Sequence, residues 1–285
     1  MDVKQPENLI IYIRQQLTDN YPAEEAMAIA REVAQRCFGI TMTQAYAGTA
    51  RELTHAEKSR LQQILQRLRH NEPLQYVTGQ ADFLSHTFNV APGVLIPRPE
   101  TEELVKLVLR DYSRSATASI IDVGTGSGCI AISIQLALPQ VHVVGLDISQ
   151  EALRQAKNNA LKLRAAVEWL QADILKSENL PLSPVDAIVS NPPYVRESEK
   201  QAIESNVKDF EPAMALFVPD NDPLIFYRAL ATWGKRILKP NGKIYAEINS
   251  SLATDTVNLF KEEGFRQVDL LRDQFEKDRM IICRK

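Results

Sequence analysis

The sequence predicts an α/β fold, a mostly parallel sheet wrapped by helices, with a small all-helical bundle in front of it. Three observations predict it. From about residue 118 onward, apolar runs of strand length alternate with helical runs. The residues before position 81 carry helical periodicity only. A loop with glycines at alternate positions separates the first of the later strands from the helix that follows it.

In chain order, Leu9, Ile13 and Leu17 recur every fourth residue and predict a first helix. Pro22 opens a second, in which Ala26, Ile29, Ala30, Val33 and Cys37 share one face, and Gly39 stops it. Thr54-His55-Ala56-Glu57 has the pattern of a capping box, and Leu61, Ile64, Leu65 and Leu68 form the apolar stripe behind it. Residues 1–80 therefore read as a helical bundle. Residues 81–96 change character: Phe83, Leu84, Phe88, Val90, Val94, Leu95 and Ile96 lie among Ser, Thr, Asn and Gly, which predicts a short hairpin acting as a linker. Pro97-Arg98-Pro99 is stiff, and Glu100 to Arg110 is helical again, so the third region runs 97–285. Within it, 119–123, 141–146, 185–190 and 243–248 read as buried strands, with helices over 130–138, 148–163 and 222–238 between them.

Composition narrows the function classes. Of the residues, 45% are hydrophobic and 24% charged, as in an ordinary globular protein. The net charge is −3 and the pI about 5.9. Proteins that live on phosphate backbones carry a basic surplus, so direct nucleic-acid binding is disfavoured. Cys37, Cys129 and Cys283 are scattered, His55, His70, His86 and His142 do not cluster, and no metal site is expected. The N-terminus lacks a basic segment followed by an apolar one, and no run has the ~18 apolar residues of a membrane span. The expectation is a cytoplasmic protein with no membrane partner.

Asp122-Val123-Gly124-Thr125-Gly126-Ser127-Gly128 follows a strand and precedes a helix. Glycines there let the backbone approach a ligand closely. Asp147 stands at the end of the next strand, where a carboxylate can accept from both hydroxyls of a ribose, with Ile148 beside it. A dinucleotide loop spaces its glycines G-x-G-x-x-G to bring a pyrophosphate to the helix N-terminus, whereas here the spacing is G-x-G-x-G. The Asp122 carboxylate repels a pyrophosphate and suits the sulfonium and ammonium of S-adenosylmethionine. In folds of this class the loop after the next strand holds the adenine, which makes Ala172, Asp173 and Ile174, after an apolar stretch, its expected contacts, Asp173 by accepting from the exocyclic amine and Ile174 by covering the ring.

Asn191-Pro192-Pro193-Tyr194 follows the strand ending at Ser190. The consecutive prolines hold the chain extended and fix the Pro192 carbonyl. That carbonyl and the Asn191 amide oxygen can accept both hydrogens of one NH₂, while Tyr194 stacks on its conjugated plane. Two acceptors aimed away from the plane favour a pyramidal nitrogen that can attack a methyl group in line, and both bonds strengthen as charge develops on it. The motif alone does not separate a carboxamide from an adenine amine.

With these residues placed, the sequence resembles the glutamine N5-methyltransferases of peptide chain release factors, the HemK/PrmC family. Pro73-Leu74-Gln75-Tyr76-Val77-Thr78-Gly79 is similar to the family's hinge, and Leu95 to Glu102 (LIPRPETE) to its signature before the catalytic domain. Glu211-Pro212 with Ala215-Leu216-Phe217, and Arg272-Asp273 with Lys277-Asp278-Arg279, resemble a segment after NPPY and a C-terminal hairpin. The resemblance implies a Rossmann-like, S-adenosylmethionine-dependent methyltransferase domain with a seven-stranded, mostly parallel sheet. It implies methylation of the glutamine in the Gly-Gly-Gln motif of bacterial-type release factors, a bundle that helps to hold that partner, and Arg98 and Glu100 as residues lining the substrate site. One departure is visible: the family usually has a glycine near the position of Asn249, which puts the local turn in question. The rival reading is a DNA or RNA adenine-N6 methyltransferase, against which stand the acidic charge balance and the lack of an evident base-reading domain.

Overall fold

The computed structural model describes residues 6–47, 51–115, 117–176 and 183–285. Clustering of contacts divides the chain into two compact units, Met1–Gln80 with Ser205–Phe210, and Ala81–Glu204 with Glu211–Lys285.

The helical unit contains α1 (Pro6–Leu17), α2 (Ala23–Phe38), α3 (Met42–Ala47), α4 (His55–Arg69) and α5 (Leu74–Thr78). The stripes read from the sequence are the faces it buries: Ile13 and Leu17 of α1, Ala30 and Val33 of α2, and Leu65 and Leu68 of α4 meet in one apolar cluster. The capping box forms, with the Glu57 amide donating to the Thr54 hydroxyl at 3.3 Å and the Thr54 amide to the Glu57 carboxylate at 2.8 Å. Such a cap stabilises the helix by about 1 kcal/mol. A short distant helix, α9 (Ser205–Phe210), also belongs to this unit, and Asn71 donates to the Ser205 hydroxyl at 2.7 Å. A helix so short shows no periodicity in the sequence, so the sequence boundary at residue 80 missed it.

The larger unit opens with a hairpin, β1 (Gln80–Phe83) and β2 (His86–Asn89). The hairpin is more than the linker expected from the sequence. Phe83 and Phe88 pack edge to face at 6.1 Å and are buried with Leu104 and Val108 of α6 (Pro99–Tyr112) and Ile130 and Ile134 of α7 (Cys129–Ala137). An isolated two-stranded hairpin is marginal in water, and this one is held by its aromatics. Fully buried Asn159 secures its end, accepting from the Asn89 amide at 2.8 Å and donating to the Asn89 carbonyl at 3.0 Å.

The main sheet has seven strands: β3 (Ser119–Val123), β4 (His142–Asp147), β5 (Glu168–Gln171), β6 (Val185–Ser190), β9 (Leu238–Glu247), β10 (Gln267–Arg272) and β11 (Asp278–Arg284). Their order is β10-β11-β9-β6-β3-β4-β5, and only β11 runs against its neighbours, pairing antiparallel with β9 and β10. The seven-stranded, mostly parallel expectation holds. Adjacent residues feed opposite faces. Ile120, Val143 and Ala187 enter the cluster with α6 and α7, whereas Ile121, Val144 and Ile188 enter the other, with α11 (Ile225–Ile237) and α12 (Ala253–Glu262). Burial on both faces is why these strands read as continuous apolar runs. The remaining elements are α8 (Gln150–Leu163), α10 (Ala213–Leu216) and a small parallel pair, β7 (Val195–Arg196) with β8 (Phe217–Val218).

Candidate active site

Strand order decides what meets at the carboxyl ends. From β3 the chain goes to β4 and β5 on one side and returns to β6 and β9 on the other, which makes the β3/β6 boundary the topological switch point. Val123 is level with Leu146 of β4 and with Ser190 of β6, and Ser190 is level with Ala246 of β9. The next residues along, Gly124, Asp147, Asn191 and Glu247, therefore stand in one row. The Ser190 hydroxyl donates to the Val123 carbonyl at 2.7 Å and fastens the two central ends together.

The glycine loop is drawn onto β4: the Gly124 and Thr125 amides donate to the Leu146 carbonyl at 2.8 and 2.9 Å. Gly124, Gly126 and Gly128 all have positive φ (74°, 56° and 83°), which residues with side chains rarely adopt. Nothing lies within 4 Å of where a Cβ on Gly124 would stand. A Cβ on Gly128, by contrast, would meet Ile132 at 2.9 Å, Trp169 at 3.0 Å and Ala156 at 3.1 Å, so Gly128 serves packing of helix on sheet. Thr125 and Ser127 are buried as well. The open part of the loop is thus its first half.

Asp122 is fully buried, not merely beside the loop. Its Oδ2 accepts from the Thr125 hydroxyl at 2.5 Å and from the Ala131 amide at 3.2 Å. Among the described residues its Oδ1 has no hydrogen-bond partner. Burial pushes its carboxyl up to about 7 against these hydrogen bonds, and the nearby Asp147 charge adds to the rise. Asp147 accepts from the Gly126 amide through Oδ2 and from the Ser149 amide through Oδ1, both at 2.9 Å. Burial raises its pKa, and these amides oppose the rise. Ile148 beside it is 45% exposed, an apolar side chain presented to solvent at the mouth of the loop. The Ala172 amide donates to the Asp147 carbonyl at 3.0 Å, while Ala172 and Ile174 pack on the α11/α12 side of the sheet. Asp173 closes its own turn, accepting from the Leu175 amide at 2.9 Å, and pairs with Lys176 at 3.4 Å.

Asn191, Pro192 and Tyr194 line a small cleft of about 40 Å³ together with Leu95, Arg98 and Leu216; Pro193 is not among its walls. Asn191 donates through Nδ2 to the Thr101 hydroxyl at 3.0 Å, and Thr101 in turn donates to Glu247 Oε2 at 2.7 Å. The Tyr194 hydroxyl donates to Glu247 Oε1 at 2.9 Å, which fixes the ring expected to stack on the substrate. Burial pushes the Glu247 carboxyl upward, opposed by Thr101, Tyr194 and the Arg279 charge. Asn249, in the place of the expected glycine, has an ordinary φ of −70°. Its amide donates to the Tyr194 carbonyl at 3.0 Å and its Oδ1 accepts from the Ser251 amide at 2.9 Å, so the turn needs no glycine.

Arg98 reaches the cleft and is held by the buried Glu211, whose other oxygen accepts from the Ile96 amide at 3.0 Å. Glu100 does not line the cleft; it occupies the first turn of α6, where a negative charge complements the helix dipole. The sequence reading missed Thr101, Glu211 and Glu247 as site residues. A signal for two of them was present. Thr101 is the polar member of a buried stripe with Leu104, Val105 and Val108, and Glu247 is a carboxylate ending an apolar strand.

The family profile of the Methyltransferase small domain matches residues 92–211, and that of the PrmC N-terminal domain matches residues 8–79. A release factor glutamine methyltransferase of Bacteroides thetaiotaomicron is 43% identical over 274 residues, 96% of this chain and 98% of that protein. One from Flavobacterium psychrophilum is 42% identical over 221 residues, covering 76% and 77% of the two chains. Among solved structures, a methyltransferase from Pyrococcus furiosus superposes with a TM-score of 0.52 at 14% identity, covering 77% of this chain and 96% of that one. A 16S rRNA methyltransferase of T. thermophilus gives 0.53 at 18% identity, covering 72% and 49%. These two likenesses are of fold. The near-complete match at 43% identity, over a chain whose glycine loop and NPPY segment meet at one switch point, shows that this chain belongs to the release factor glutamine methyltransferase family.

Proposed function

We infer that this protein transfers a methyl group from S-adenosylmethionine to the side-chain amide nitrogen, N5, of the glutamine in the Gly-Gly-Gln motif of peptide chain release factors. The observation that carries this is the Asn191 side chain: its NH₂ donates to Thr101, which leaves Oδ1 as an acceptor in a cleft that Pro192 and Tyr194 also line. The names of the relatives support the substrate.

The residues present fit the cofactor. Asp122 keeps a buried carboxylate oxygen without a partner among the described residues, Gly124 leaves open space, Asp147 has lone pairs left after its backbone bonds, and Ile148 offers an exposed apolar surface. In this reading Asp147 holds the ribose, Ile148, Ala172 and Ile174 flank the adenine with Asp173 at its edge, and Gly124 to Gly128 with Asp122 hold the amino-acid end. When bound, S-adenosylmethionine supplies an electrophilic methyl on a cationic sulfur.

Asn191 Oδ1 and the Pro192 carbonyl accept the two hydrogens of the glutamine amide and orient its nitrogen toward that methyl. A carboxamide nitrogen is a weak nucleophile because its lone pair is delocalised. The two acceptors favour the pyramidal form, and their bonds strengthen as the C–N bond forms, the methyl–sulfur bond breaks to release neutral S-adenosylhomocysteine, and positive charge gathers on nitrogen. One proton then passes from the nitrogen to solvent water and the amide conjugation returns. Tyr194 covers the plane of the carboxamide, and Arg98, anchored by Glu211, offers hydrogen bonds at the cleft wall. No described helix is long and apolar enough to cross a membrane, and a release-factor substrate fits a cytoplasmic location.

The test is incubation with purified release factor and methyl-labelled S-adenosylmethionine, followed by peptide mass mapping. The expected product carries one methyl on the Gly-Gly-Gln glutamine; label on another residue, or on nucleic acid alone, overturns the reading.

A further inference from the structure

Asn191 can act as an acceptor only if its amide faces the right way, and an amide has two nearly isosteric orientations. We propose that Glu247, acting through Thr101, sets that orientation, so that both are positioning residues for methyl transfer; the proposal rests on the role of Asn191 given above.

The polarity runs outward from the carboxylate. An ionised carboxylate accepts hydrogen bonds and donates none. Glu247 takes the Thr101 hydroxyl hydrogen on Oε2 at 2.7 Å and the Tyr194 hydroxyl hydrogen on Oε1 at 2.9 Å. Thr101 has one hydrogen, and it is committed to Glu247. Toward Asn191 it therefore presents only a lone pair, which the amide nitrogen satisfies at 3.0 Å. The flipped amide would set oxygen against oxygen. Thr101 and Glu247 are 2% and 1% exposed, so no bulk water compensates a flipped amide there. The register of β6 on β9 puts Glu247 one residue beyond the partner of Ser190, level with Asn191, and α6 supplies Thr101 from its first turn. Burial pushes the Glu247 carboxyl upward, and the two hydroxyl hydrogen bonds and the Arg279 guanidinium, itself paired with Asp273 at 3.2 Å, oppose that rise and favour the charged form. Glutamine at position 247 would break the polarity, because its NH₂ must donate to Thr101 or Tyr194. Donation to Thr101 would free the hydroxyl hydrogen to point at Asn191 and turn the amide over.

Full-length Thr101→Val, Thr101→Ser and Glu247→Gln would be compared with wild type on release factor. Valine is isosteric but cannot hydrogen-bond, and serine restores the hydroxyl. Thr101→Val and Glu247→Gln should lower kcat by about 10- to 100-fold, with S-adenosylmethionine affinity by calorimetry unchanged, and Thr101→Ser should stay within about 3-fold of wild type. Wild-type kcat in Thr101→Val, or equal loss in Thr101→Ser and Thr101→Val, overturns the proposal, the latter because it would show packing alone at work. An independent readout needs no substrate. The Asn191 side-chain NH₂ resonances, assigned by their loss in Asn191→Asp, should be slow to exchange with solvent in wild type and fast in Thr101→Val. Slow exchange in an enzyme that methylates no glutamine would refute the substrate reading and leave the orientation standing; fast exchange in wild type refutes the orientation.

Discussion

Replacing Asp147 by alanine should destabilise the protein even without cofactor, which sequence reasoning about a ribose ligand does not anticipate. The carboxylate accepts from the Gly126 and Ser149 amides, both at 2.9 Å, at a position only 9% exposed. Alanine leaves both amides buried without an acceptor, at about 1–3 kcal/mol each. Burial outweighs those bonds in raising the Asp147 pKa, so removing the carboxylate returns part of that cost and the net loss is about 2–4 kcal/mol. For a unit of this size each kcal/mol moves Tm by about 2–4 °C, so the cofactor-free variant should melt on the order of 5–10 °C lower. Added S-adenosylmethionine sharpens the test. At a concentration 100 times the wild-type Kd it stabilises wild type by about 2.7 kcal/mol, and a variant bound tenfold more weakly by only about 1.4 kcal/mol. The gap between the two proteins should therefore widen when cofactor is added. Thermal denaturation with and without S-adenosylmethionine measures both effects. An unchanged Tm without cofactor would refute the bracing role, and a gap that stays constant on adding it would refute the ligand role.

Asn191→Ala should lower kcat by about 10²–10³-fold with cofactor affinity by calorimetry intact, as expected for a group whose bond strengthens in the transition state; normal turnover would remove Asn191 from the mechanism. Gly145→Ala should overpack the sheet, because its Cβ would come within 2.4 Å of the Trp169 ring. A cost of about 1–3 kcal/mol and altered tryptophan fluorescence are expected, and an unperturbed Tm would show that the ring can move aside. Asp122 makes the cofactor-free protein pH-sensitive. Its folded pKa is raised from 3.8 to about 7, so its contribution to stability is fully present below about pH 4 and lost as the pH rises through about 7. Asp147 and Glu247, also raised, share that sign. Tm should fall between about pH 4 and about pH 7 in wild type and level off above that, and fall less steeply in Asp122→Asn; parallel slopes would exonerate Asp122.

Local residue chemistry made much of this protein legible. The apolar stripes, the Thr54 capping box, the glycine loop, Asp147 and the NPPY segment depend on spacings of a few residues, and each lies in the element expected of it. Three things were not legible for a common reason. The hairpin reads as a short connector, and only the burial of Phe83 and Phe88 against α6 and α7 makes it part of the core. The resemblance implied both Arg98 and Glu100 as lining residues; Arg98 lines the cleft, whereas Glu100 lies in the first turn of α6 and is not among the residues that line it. Asn249 looked like an unsuitable substitute for glycine until its amide was seen to hold the Tyr194 carbonyl.

The sequence by itself determined the alternation of strand and helix, the cofactor type suggested by glycine spacing and an adjacent carboxylate, and a clamp for a planar NH₂. Those properties follow from period, backbone freedom and donor–acceptor identity, all of which operate over short stretches of chain. The tertiary structure alone decided what supports the clamp. Thr101, Asn191 and Glu247 are separated by 90 and 146 positions counted from Thr101, and they meet because β6 lies between β3 and β9 and α6 crosses their ends. No short-range pattern encodes that meeting, because the order of strands in a sheet is fixed by packing of the whole chain.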